Sequence, residues 1–188
     1  MEFIRRHMEQ LAPLSDEDWA FFSARLVRSE VPKKTILLDV GQTENYLSFA
    51  ERGVIRFYIP GEENDLTFAF VFEGNFISAY DSFLTRRPSV YRTETLSHTI
   101  LWKLHYNDLQ DIYAGTQIGN TIGRLAGEDL FLKKSLRELS LLTQSAEQRY
   151  RSLFTEQPQL IRQIPLKYIA SYIGVAPQSL SRIRRRIS

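Results

Sequence analysis

The sequence predicts an α+β chain: a β-barrel or β-sandwich with a helical lead-in, then a long helix, then a small helical C-terminal region. Three observations carry this. Short β-like runs broken by glycines fill positions 33 to about 105. A proline-free helical stretch follows from Thr116 to about Leu142. Two short amphipathic segments then flank Gly174 near the end.

Taken in order, the first thirty residues read as helix. Leu11 and Pro13 precede Ser15, which can cap a segment carrying Trp19, Phe22 and Leu26 at helical spacing. The β-like runs are TILLDV, YLSFAERGVIRFYI, LTFAFVF and VYRTETLSHTILWKL, with Gly41, Gly53, Gly61 and Gly74 between or within them. Such short strands with turn signals favour a barrel or sandwich. YNDLQDIY makes a short helix that Gly115 can end. In the long stretch, Ile118, Ile122, Leu125, Leu132, Leu136 and Leu139 alternate spacings of three and four, the seam of a coiled coil. Asp129 interrupts that seam. Two readings stand: a dimerisation helix, or a helix packed on its own barrel. Ser145 and Gln148 form a capping box for a helix with Tyr150, Leu153 and Phe154 that ends before Pro158.

Composition narrows the chemistry. The chain has 188 residues and a formal charge of only +2, with its basic residues crowded at the C-terminus. It has no cysteine, which excludes disulfides, Cys-ligated zinc and iron–sulfur clusters. MEFIRRHMEQL has no apolar run of a signal peptide, and no stretch approaches the roughly 20 apolar residues of a membrane span. A cytoplasmic protein without membrane contact is expected. His7, His98 and His105 are the only histidines, no H-x-H pair exists, and no phosphate-binding glycine loop or nucleophile–base set stands out. No cofactor or metal is therefore expected, and a cupin-like metal enzyme is the weak alternative. The aromatic residues Phe57, Tyr58, Phe68, Phe70, Phe72, Phe76, Tyr80 and Phe83 fit a packed core or an apolar effector pocket.

The last segment, IPLKYIASYIGVAPQSLSRIRRRI, is the most specific. Pro165 suits the first turn of a helix whose apolar face is Ile169, Ala170 and Ile173. Gly174 ends it, and Ala170 is small where a second helix must cross. Pro177 starts that helix, with Leu180 and Ile183 facing back. Gln178, Ser179, Ser181, Arg182, Arg185 and Arg186 then face outward, with Arg184 in the same basic run. Two short helices joined by a glycine turn are the DNA-binding helix-turn-helix signature. Gln178 can pair with adenine and Arg182 with guanine. Ser179 and Ser181 suit phosphate oxygens, and Arg184, Arg185 and Arg186 add attraction to the DNA backbone. An arginine run alone is more often a solvated helix end, favourable to the helix dipole. The apolar offsets tip the reading towards DNA.

On these residues the chain resembles the Crp/Fnr family of transcription regulators, those of the catabolite activator protein type, over nearly its whole length. LLDVGQTENYLSFAERGVIRFY is similar to the turn region of that family's cyclic-nucleotide-binding β-roll, and FEGNFIS to the start of its phosphate-binding cassette. The resemblance implies a jelly-roll β-roll sensor over 1–114, a dimerisation helix over 115–142 and a helix-turn-helix DNA-binding domain over 143–188. It places Pro177, Gln178 and Arg182 at the base-reading positions, where Pro177 offers apolar contact at best. It also implies homodimers on double-stranded DNA and RNA polymerase as a further partner. The family's wing is expected to be absent after the recognition helix, so any wing strands would fall between Pro158 and Ile164. Where cyclic-nucleotide binders carry Gly-Glu and Arg-Ser pairs, this chain reads Ser78-Ala79 and Ser89-Val90. Losing the arginine–phosphate pair argues against the usual response to cyclic AMP. Arg86, Arg87 and Arg92 are the substitutes at hand. The effector is thus unknown or absent, and a ligand-binding module whose helix-turn-helix contacts protein is the alternative function.

Overall fold

The computed structural model describes residues 1–187. Two short helices come first, α1 (Glu2–Glu9) and α2 (Asp16–Ser23). Ser15 caps α2 as its position predicts, its hydroxyl accepting from the Asp18 amide at 3.1 Å. Helix ends sooner than expected, because β1 occupies Val27–Val31. VRSEV buries only Val31 and lies at a sheet edge against β8 (Thr99–His105), so its apolar signal is weak.

Between these come β2 (Ile36–Leu38), β3 (Tyr46–Arg52), β4 (Val54–Ile59), β5 (Leu66–Phe72), β6 (Phe76–Ile77), α3 (Tyr80–Thr85) and β7 (Arg92–Thr95). They form two four-stranded sheets, in the orders β1-β8-β3-β6 and β2-β7-β4-β5. The long run YLSFAERGVIRFYI is two strands because Gly53 turns between them at φ +110°. A Cβ there would lie 2.4 Å from Thr99 Oγ1 and 2.9 Å from Thr99 Cα, so both conformation and space demand glycine. Arg56 on β4 is 2% exposed and lies 3.7 Å from Glu94 on β7.

The helical half runs α4 (Tyr106–Gly115), α5 (Gly119–Thr143), α6 (Ala146–Glu156), α7 (Pro158–Gln163), α8 (Leu166–Tyr172) and α9 (Pro177–Ile187). The long helix α5 starts later than Thr116. That residue caps instead, its hydroxyl donating to Ile112 O and accepting from Gly119 N at 3.0 Å. The capping box on α6 is formed, with Ser145 accepting from Gln148 N and Gln148 from Ser145 N. Positions 158–163, where the sequence puts any upstream wing strands, are helix α7 with Leu160 fully buried. No helix among the described residues is long and apolar enough to cross a membrane.

The chain forms two compact units. The first comprises 1–57 and 70–129, with a core built on Ile4, Phe22, Phe49, Phe83, Leu104 and Ile122. Phe49 meets Phe76 edge-on at 5.1 Å, and Phe83 meets Tyr106 at 5.2 Å, so much of the aromatic run is packing. The second comprises 58–69 and the chain from Leu130 onward. Tyr150, Leu153, Leu160, Ile164, Ile169, Ile173, Leu180 and Ile183 are among its buried residues around the last helices.

Candidate nucleic-acid interface

Helix α8 buries Ile169, Ala170 and Ile173 completely. It must then stop, and Gly174 at φ +78° stops it. Val175 N donates to Ala170 O and Gly174 N to Ser171 O, each at 3.0 Å. This is the Schellman arrangement, in which a left-handed glycine satisfies two of the helix's last carbonyls. The next two carbonyls, of Tyr172 and Ile173, need other donors. Arg137 on α5 donates from Nη2 to Tyr172 O, its guanidinium 3.9 Å from the Tyr172 ring centre. Arg149 on α6 donates from Nε to Ile173 O at 3.0 Å and from Nη1 to Gln144 O.

After the turn, Pro177 opens α9, and Leu180 and Ile183 return to the core at 1% and 8% exposure. Burying two such side chains is worth about 1.5–3 kcal/mol each and fixes the rotation of the helix about its axis. Pro177, Gln178, Ser181, Arg182, Arg184, Arg185 and Arg186 are consequently exposed, and Ser179 is half-buried. Arg182 Nη2 reaches Ser179 Oγ at 3.4 Å. The Ser181 hydroxyl donates back to Pro177 O at 3.1 Å, so a phosphate would have to win it from the helix backbone. The helix carries no acidic residue, and its three consecutive arginines lie at the end where the dipole favours cations.

The stretch 58–69, in the same unit, also reaches this region. Ser171 Oγ on α8 accepts from Thr67 N and donates to Asp65 O, both at 2.7 Å.

In the first unit, three of the four cassette positions are engaged by the chain itself. Ser78 Oγ donates to Tyr46 O at 3.0 Å, and Ala79 N faces Glu44 Oε2 at 3.5 Å. Ser89 is buried with its hydroxyl on Tyr91 O at 2.9 Å, whereas Val90 is 69% exposed. Burial raises the Glu44 carboxyl above its ordinary range, against the pull of the Tyr46, Ala79 and Asn45 amides. Arg86 is held by Glu44 O at 2.7 Å, Phe83 O at 3.1 Å and Asn45 Oδ1 at 2.5 Å. Arg92 is paired with Asp39 at 2.5 Å, while Arg87 is exposed.

The seam divides. Ile118, Ile122 and Leu125 pack into the core of the first unit, whereas Leu132, Leu136 and Leu139 are 60%, 67% and 54% exposed. Of the histidines, His98 meets Glu30 at 2.9 Å, His105 caps α4, and His7 packs on Phe49 and Phe76. No group of three or more metal-ligating side chains occurs among the described residues. Arg137, Arg149, Ser171 and Glu44 carried no sequence signal. Each is a lone polar residue whose partners are backbone groups, and backbone groups leave no pattern.

The fold is one shared with solved structures of Crp/Fnr transcription regulators. The chain matches the c-di-GMP-responsive global regulator CLP of Xanthomonas campestris at TM-score 0.72 and 14% identity, over 92% of this chain and 91% of that one. A protein described as a Crp/Fnr-family transcriptional regulator from Eubacterium rectale matches at 0.72 and 17%, over 92% and 83%. The catabolite activator protein of Thermus thermophilus matches at 0.59 and 16%, over 94% and 85%. No family model and no curated protein matches the sequence.

Proposed function

We propose that this protein is a homodimeric, sequence-specific DNA-binding transcription regulator that does not answer to cyclic AMP in the usual way. One observation carries the reading: Leu180 and Ile183 lock α9 so that Gln178, Arg182, Arg185 and Arg186 face outward together, with Arg184 exposed on the flank, on a helix without acids. Lying in a major groove, α9 brings Gln178 and Arg182 to base edges near its start, with Pro177 in apolar contact. Ser179, Ser181, Arg184, Arg185 and Arg186 meet the sugar-phosphate backbone. Leu132, Leu136 and Leu139 pair with those of a second copy, so that two α9 helices read a pseudo-palindrome. RNA polymerase in the cytoplasm is the further partner of such a regulator, and no catalytic role is assigned.

The sensor half departs from nucleotide binding. The cassette lacks the arginine and glutamate that hold a cyclic nucleotide, and Glu44 adds a carboxylate within 3.5 Å of the Ala79 amide. A phosphate there would meet like charge. Calorimetry with cyclic AMP is expected to give no saturable heat, and a micromolar isotherm would refute this part.

Selection of bound sequences from a random DNA pool at stated salt tests the main reading. A two-fold symmetric motif with half-sites about one helical turn apart is expected. Recovery of no motif, with uniformly weak binding, would overturn it.

A further inference from the structure

The two carbonyls that the Schellman turn leaves over are taken by arginines from two other helices. We propose that Arg137 and Arg149 are positioning residues that set the angle at which α9 is presented to DNA, with Ser171 as a third fixed point. The inference rests on the reading of α9 as the DNA-contacting helix.

Two features of the grip support it. The three points are consecutive residues, Ser171, Tyr172 and Ile173, immediately before the turn into α9. They are gripped from three separate segments: the β4–β5 stretch, α5 and α6. Any rotation of α8 and α9 against α5 must therefore break at least one charge-assisted bond.

Arg137 is also a poor device for stability alone. Burial lowers its pKa from the usual arginine range, and its Nε is buried without a hydrogen-bond partner. An apolar side chain would cover the Tyr172 ring without that desolvation cost. What a guanidinium adds is direction: a fork aimed at one carbonyl while stacked on the ring of the same residue.

Direction matters to one kind of binding more than another. Base reading requires side chains within about 0.5 Å and 10–20° of their productive geometry. Coulomb attraction to phosphates tolerates tilt. Loosening the grip should thus lower sequence-specific affinity and spare non-specific affinity.

The test uses the full chain with Arg137→Met and Arg149→Met, singly and together, and Arg137→Lys as the variant that keeps the charge alone. Each single methionine variant is expected to weaken binding to the selected site about tenfold. Affinity for random DNA and its salt dependence should not change, and Arg137→Lys, which keeps the charge but loses the fork and the stacking plane, should recover little of the loss. Because the chain has no cysteine, spin labels at Lys134→Cys and Lys167→Cys report the distance between α5 and α8 without background. Labelled protein is diluted with unlabelled chain so that only intramolecular pairs are read. The distance distribution should be narrow in the parent and broad in the double variant. If the double variant does not fold, the single variants carry both readouts. Equal loss on specific and random DNA, or an unchanged distance distribution, overturns the positioning role. A parent chain that binds no DNA, with a distribution that still broadens, overturns the DNA reading and leaves the two arginines as the clamp on α8.

Discussion

Arg182 and Arg185 are exposed on the same helix, yet the proposed complex asks different things of them. Arg182→Ala is expected to cost roughly 1–3 kcal/mol on the selected site and to relax preference at one base position. Arg185→Ala or Arg186→Ala should instead weaken binding to every sequence and reduce the slope of log K against log salt by about 0.9. Titrations on specific and random duplexes at several salt concentrations separate the two. At Glu44 the sign runs the other way from the usual carboxylate. Its folded pKa is raised, so its contribution to stability is full below the ordinary carboxylate range and is lost as pH rises through the raised value. Glu44→Gln should remove that component, which denaturant titrations of both proteins between pH 4 and 7 would show. Asp39 acts oppositely, since Arg92 lowers its pKa and its contribution fades on acidification. The Glu44 effect is therefore read as a difference between variant and parent. The outward side chains of α9 were legible in the sequence because Leu180 and Ile183 define a face. Arg149, Arg137 and Ser171 were not, because their backbone partners lie 24, 35 and 106 residues away.

At the scale of elements, two glycines predict different penalties. A Cβ on Gly174 would find only ordinary contacts, with Arg149 Nη2 at 3.8 Å and Leu141 Cδ2 at 3.9 Å. Gly174→Ala should therefore cost only the left-handed backbone, about 1–2 kcal/mol, and leave the turn in place. Gly53→Ala should cost more, because its Cβ would meet Thr99 Cα on the neighbouring strand, and backbone cannot swing away. Denaturation midpoints of the two variants check the order. Elements were legible where burial is regular. LTFAFVF reads as a strand and is β5, Leu66–Phe72. Elements at an edge or shorter than two turns carry no signal of their own: β1 with one buried residue, β6 of two residues, and α3 of six. Such pieces are fixed by their neighbours and carry too few residues for a period to show.

For the whole molecule, α5 sets the prediction that matters most. Leu136 is 67% exposed and Ile122 is 8% exposed on the same helix. Leu136→Glu should leave the chain folded but monomeric in sedimentation, with DNA affinity reduced through loss of the second half-site. Ile122→Glu should instead destabilise the first unit, because it buries a charge among apolar side chains. The order of β-rich half, long helix and helix-turn-helix was legible from periodicity together with the glycine and proline positions. The composition of the compact units was not, since 58–69 belongs with the chain beyond Leu130. That membership has a consequence for the order of folding. Asp65 and Thr67 leave the ribosome about a hundred residues before Ser171, yet they bond to it. The second unit is thus a late closure of a long loop, begun by a segment made early and finished only when the last helices emerge. A fragment starting at Leu130 would carry every proposed DNA contact and still lack the strand-borne partner of its own Ser171.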